Sequence, residues 1–108
     1  MITFIAHLQV PSQNAQAFAD LMSHVTTMTL EHEPGVVYYG FAKSVEEEGR
    51  YVVVEVYRDQ DACAMHGDNV WVRESVPKML ELTEGMPQLV QYVSPGADPV
   101  VSRFEDMT

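Results

Sequence analysis

Apolar residues alternate with other residues in three stretches of this chain and recur at spacings of three and four between them. Ile2, Phe4, Ala6, Leu8 and Val10 alternate with Thr3, Ile5, His7 and Gln9, which predicts a two-faced strand stopped by Pro11. Ser12 stands where it can cap the next element. Beyond Ala15, the residues Phe18, Leu21, Met22, Val25 and Met28 form the stripe of a helix that lays one face on a sheet. Burying those side chains contributes about 1.5 to 3 kcal/mol each before entropy. Glu33-Pro34-Gly35 ends the helix, because Pro34 drives its predecessor into extended backbone and Gly35 admits a positive φ.

A second strand runs from Val36 to Lys43, with Val37, Tyr39 and Phe41 on one face. The other face carries Val36, Tyr38, Gly40 and Ala42, small enough to admit a close neighbour or a ligand. The polar stretch from Ser44 to Arg50 is a connection, so this strand and the next pair as a hairpin. From Tyr51 to His66 the chain reads as strand, capped turn and short helix. Val52, Val54 and Val56 make one face β-branched, while Tyr51, Val53, Glu55 and Tyr57 set a carboxylate among aromatic and apolar neighbours, and both faces are expected to be covered. Asp59 is placed to cap the helix, and Ala62, Met65 and His66 share its inward face. Gly67 is expected to break it. Asn69 can cap a further helix carrying Val72, Val76, Met79 and Leu80, in which Pro77 either kinks the element or begins a separate segment near Ser75. Gly85 closes it, and Pro87 to Val93 makes a last strand.

The order β-α-β-β-α-α-β over residues 1–93 is that of an α+β, ferredoxin-like split βαβ domain, an antiparallel sheet with helices on one face. Because the first and third strands are apolar on both sides, the simplest closure is a twofold dimer whose two sheets form a barrel. The tail, residues 94–108, carries Val100, Val101 and Phe104 and is expected to serve as an arm reaching across the partner.

Composition narrows the function. With 108 residues the chain holds one domain, and no apolar run approaches the ~20 residues of a membrane span. The opening MITFIAHLQV has no basic n-region and alternates like a strand, which points to the cytoplasm. Cys63 is the sole cysteine, so a thiolate metal cluster is excluded, and it is read as a small buried hydrophobe. The net charge of −10, with scattered basic residues, argues against nucleic acid as a partner. Glu46, Glu47 and Glu48 read as a solvated hairpin tip. His24 and His32 lack the spacing of a helical metal pair, and no glycine-rich phosphate loop for a flavin exists.

Glu33-Pro34-Gly35 before the second strand, and Glu55-x-Tyr57 followed by Ala62 and His66, resemble the antibiotic biosynthesis monooxygenase family of dimeric α+β barrels, which includes quinol monooxygenases. Where many members carry a Ser-Pro-His-like segment after the helix histidine, this chain has Asn69, Val70 and Trp71. The resemblance implies oxygenation of a phenol or quinol by O₂ without flavin, haem or metal, the substrate itself supplying the electrons. Haem is further disfavoured because its degraders place an axial histidine where this chain has Ser75-Val76-Pro77. In that chemistry His66 exchanges the hydroxyl proton, and Glu55 either orients the imidazole or is the base if burial raises its pKa. Tyr57, Tyr39 and Trp71 would stack on or hydrogen-bond to a small aromatic substrate, with Met65 as a pliable neighbour.

Each assignment has a plainer rival. His66 can be a satisfied structural histidine, and Glu55 a buried carboxylate bound to a backbone amide or to Arg58 or Arg50, a reading slightly favoured for Glu55. His7 either lines the pocket or meets a cross-strand partner, and Trp71 either meets substrate or fills a lid over the helices. Two other functions stand beside the oxygenase: a small-molecule-binding or stress-response dimer without turnover, and an isomerase using His66 as base.

Overall fold

The first strand, β1 (Ile2–Gln9), shows why alternation is informative: Ile2, Phe4, Ala6 and Leu8 are buried while Thr3, Ile5, His7 and Gln9 keep partial exposure. The computed structural model describes residues 1–101, so Phe104 lies outside the described residues. After β1 come a 3-10 turn (Ser12–Asn14), α1 (Ala15–His32), β2 (Val36–Lys43), β3 (Arg50–Tyr57), α2 (Gln60–Asp68), α3 (Val70–Leu82) and β4 (Gln88–Val93). The four strands form one antiparallel sheet in the order β2-β3-β1-β4. The fold is α+β and ferredoxin-like, as the element order predicts.

The core lies between the sheet and the helices. Phe18, Met22 and Val25 of α1 and Met79 of α3 pack with Ala6, Leu8, Tyr39 and Val53 of the sheet. A second cluster of Ile2, Phe4, Tyr57 and Ala62 sits at the other end, under α2. The opposite sheet face, with Ile5, Val52, Val54 and Val56, has no layer over it among the described residues and stays partly exposed.

Several local expectations are corrected. Ser12 caps nothing; the chain makes a 3-10 turn there, and the Asn14 side chain instead donates to the Leu82 carbonyl at 3.1 Å, tying the start of α1 to the end of α3. Pro77 lies inside one continuous helix, its missing amide falling on an exposed face. The α2 helix passes Gly67 and ends at Asp68. Asn69 makes no side-chain cap, although its carbonyl accepts from the amides of Val72 and Arg73. In β2 a bulge between Val36 and Tyr38 leaves Val37 unpaired and exposed, so Val36 joins Tyr39 and Phe41 on the helix side. Such a bulge inserts one residue and flips the facing of everything before it.

Candidate active site

Asp59 opens α2 directly after β3, its carboxylate accepting from the Ala62 amide at 2.9 Å. This cap satisfies an orphan amide of the first turn and fixes which side of the short helix meets the sheet. Ala62 and His66, four apart, turn inward, whereas Met65 is exposed, so the shared face is narrower than the spacing suggests.

The small methyl of Ala62 matters because the α1–β2 loop rests on it. A Cβ built on Gly35 would lie 2.6 Å from the Ala62 Cβ, far inside van der Waals contact, so glycine is what lets the loop approach. The Arg58 amide donates to the Gly35 carbonyl at 2.9 Å and pins the loop to the end of β3. Glu33 is thereby carried into the interior. Its Oε1 and Oε2 lie 3.0 and 3.1 Å from His66 Nδ1, both side chains buried.

The other ring nitrogen, Nε2, faces Glu55 Oε1 at 3.5 Å, the separation of an ion pair rather than of a hydrogen bond. The Tyr57 hydroxyl donates to the same Oε1. Tyr39 and Tyr57 pack against the imidazole, with ring centroids 5.2 and 5.4 Å away. The result is a line of groups, Glu33, His66, Glu55 and Tyr57, with the imidazole between two carboxylates. The imidazole thus meets a carboxylate at each ring nitrogen, in hydrogen-bond range at Nδ1 and at a longer separation at Nε2.

Burial raises Glu55 above the ordinary carboxylate range, with Glu33 adding to the rise while His66 and the Tyr57 hydroxyl oppose it. Burial, and then the charge of Glu55, raise Tyr57 and Tyr39, so both stay protonated phenols, and Tyr57 donates to Glu55.

A cavity of about 220 Å³ lies against this line, with Glu55, His66 and Gln60 as its polar lining. Phe4, Tyr57, Leu89, Cys63 and Val100 make the remainder mainly apolar, and among the described residues no lysine or arginine contributes. The Cys63 thiol is pushed up to about 11 by burial and by Glu55, which keeps it mainly protonated near neutral pH and slow, though not unable, to react.

His66, Glu55, Tyr57 and Tyr39 are thus brought together, and the other sequence candidates are not. His7 lies on the open sheet face in a separate cavity with Lys43 and Arg50. The Trp71 indole donates to Thr29 Oγ1 at 3.3 Å and packs against His32, away from the cavity. Met65 borders a different hollow, beside Glu33 and Gly35. Neither Arg58 nor Arg50 holds Glu55, since they pair with Asp59 and Glu47. Glu33 and Gln60 escaped the sequence reading. For Glu33 the available signal was an acidic residue closing a helix, where the macrodipole favours a cation.

Among solved structures, a Caulobacter crescentus protein named as a candidate antibiotic biosynthesis monooxygenase superposes with a TM-score of 0.80 at 27% identity, covering 84% of this chain and 86% of that one. A conserved Methanosarcina mazei protein gives 0.80 at 23% identity over 84% and 89% of the two chains. Rv0793 of Mycobacterium tuberculosis gives 0.78 at 20% over 86% and 93%. The last two are likenesses of fold. No curated protein matches the chain. The family model described as "Antibiotic biosynthesis monooxygenase" matches residues 1–85, which include Glu33, Gly35, Glu55, Tyr57, Ala62 and His66. The chain belongs to the antibiotic biosynthesis monooxygenase family.

Proposed function

We propose that this protein is a cofactor-independent monooxygenase that oxidises a phenolic or quinol-type small molecule with O₂. The observation that carries the reading is the Glu33, His66, Glu55, Tyr57 line set against a mainly apolar cavity. A phenol must lose its proton before it can give an electron to O₂, and Glu55, with its raised affinity for a proton and His66 behind it, supports the role of general base. One oxygen atom then enters the ring and the other leaves as water, the substrate providing all the electrons. The mainly apolar lining with the Glu55 carboxylate in it favours a neutral aromatic that donates a hydrogen bond, since among the described residues no cation of the lining would offset an anionic ligand. Glu33 is a positioning residue that holds the imidazole from its far side.

We further place the working form as a cytoplasmic homodimer closed through the uncovered sheet face. Exposed Tyr38 and Tyr92 and the partly exposed Ile5, Val54 and Val56 support that reading, as apolar area of this kind is normally buried. Sedimentation at micromolar concentration should show twice the 12.2 kDa chain mass. Among the described residues no helix is long and apolar enough to cross a membrane.

The test follows O₂ uptake by metal-free and flavin-free protein with hydroquinones and hydroxynaphthalenes. Uptake is expected, falling by about 10²-fold or more in His66→Ala. No uptake with any compound, or uptake unchanged in His66→Ala, overturns the reading. Saturable binding without uptake would make the protein a binding module instead.

A further inference from the structure

The chain beyond β4 returns over the cavity and is fastened there by side chains gripping its backbone. The Ser94 amide donates to the Met1 carbonyl at 3.0 Å, and the N-terminal amine donates to Ser94 Oγ at 3.2 Å. Next comes a turn, with the Ala97 amide on the Ser94 carbonyl at 2.9 Å and Gly96 at φ +90°. The Gln91 side chain then meets Val100 at two points. Its Nε2 donates to the Val100 carbonyl at 2.8 Å, and its Oε1 accepts from the Val100 amide at 2.9 Å. Gln60, the first residue of α2, donates to the carbonyls of Asp98 and Pro99 at 3.3 and 3.2 Å. Val100 packs on the Ile2, Phe4 and Tyr57 cluster, and Val100 and Val101 complete the cavity wall.

These contacts are specific where a loose tail would make none. A side-chain amide presents one donor and one acceptor side by side, which matches the amide and carbonyl of a single extended residue as a strand neighbour would. The hold is on backbone atoms, so the side chains of the segment remain free to shape the cavity. The segment also lies past residue 85, where the match to the family model ends.

We propose that residues 94–101 are the cover that determines which aromatic compounds reach Glu55 and His66, with Gln91 as its latch and Val100 as the wall the compound meets. The consequence for substrate size rests on the reading of this cavity as the substrate site, whereas the latch itself does not. The cover admits small phenols and screens out bulkier polycyclic ones.

Cys63 lines the same cavity and is the only cysteine, so it reports on access without any turnover. The full-length chain is alkylated with iodoacetamide and with N-(1-pyrenyl)maleimide, and the rates are followed by intact mass. Removing the two hydrogen bonds in Gln91→Ala should speed the pyrenyl reagent about tenfold and iodoacetamide less than about twofold. Gln88→Ala, on the same strand and outside the latch, should change neither. Val100→Ala keeps both backbone hydrogen bonds and should also speed the pyrenyl reagent, separating wall from latch. An unchanged ratio of the two rates in Gln91→Ala and in the Gln60→Ala/Gln91→Ala double variant overturns the proposal, as does an equal rise for both reagents. Binding of phenol, small enough to pass the cover, is measured on the same proteins by equilibrium dialysis: its absence would remove the substrate reading, leaving the reagent ratio to judge the cover.

Discussion

His66 and Glu33 stand 33 positions apart in the chain, yet Nδ1 and Oε1 are 3.0 Å apart in the interior. Glu33 closes α1, where a carboxylate meets the negative end of the helix dipole at a cost of about 0.3 to 1 kcal/mol. Its imidazole partner offsets that cost. Glu33→Ala leaves the buried Nδ1 without an acceptor and is expected to lose about 1 to 3 kcal/mol in urea unfolding. Glu33→Gln, which still accepts a hydrogen bond, should recover much of that stability while O₂ uptake falls in kcat with KM little changed.

Gly35→Ala probes the seat of the loop. The added methyl would meet the Ala62 Cβ at 2.6 Å, so loop and helix must part, an overpacking cost of about 1 to 3 kcal/mol. Separation draws Glu33 away from His66, so oxidation is expected to fall further than the loss of folded protein explains. A thermal melt and an O₂-uptake assay on one preparation check both.

Glu55 makes stability depend on pH in an unusual direction. Its folded-state pKa is raised above the unfolded value, chiefly by burial, so the native state holds the proton more tightly. That favourable contribution is whole below the unfolded pKa of about 4.3 and is lost as pH rises through the folded value. Glu55→Gln removes the titration. Urea midpoints measured from pH 5 to 8 should show the variant gaining on the wild type as pH increases, and a constant difference would contradict the assignment.

Trp71 separates structure from chemistry. Trp71→Phe removes the indole hydrogen bond to Thr29 and should cost about 1 kcal/mol of stability, with O₂ uptake per folded protein unchanged.

Period and punctuation carried much of the architecture. Alternation in β1 and β3 separated the two faces of each strand, although the Val52, Val54 and Val56 face expected to be covered stays partly exposed, and Asp59 announced its cap. Glu55, Tyr57 and His66 were legible because strand, turn and helix succeed one another within a short stretch, so spacing alone sets their relation. Glu33 was not, since its reach into the site depends on a contact between Gly35 and Ala62 that no local pattern encodes. The bulge at Val37 was invisible for a related reason: one unpaired residue between alternating apolar ones leaves the composition unchanged while reversing the facing of Val36. Trp71 and Met65 were drawn toward the site by residue type, and tertiary packing sent them elsewhere.

The β2–β3 hairpin has a kinetic consequence. Antiparallel pairing sets Val36 opposite Tyr57, so both ends of the segment from Glu33 to His66 are already neighbours once the hairpin has zipped. Closing a loop of that length would otherwise carry its own entropy cost, which grows with the logarithm of loop size. Hairpins form in about 1 to 10 μs, so the carboxylate and imidazole are delivered to each other by an early, local event, before β1 and β4 need find their places. The Glu33, His66, Glu55 and Tyr57 line is thus drawn from one contiguous third of the chain, even though the final approach of Glu33 waits on the contact between Gly35 and Ala62.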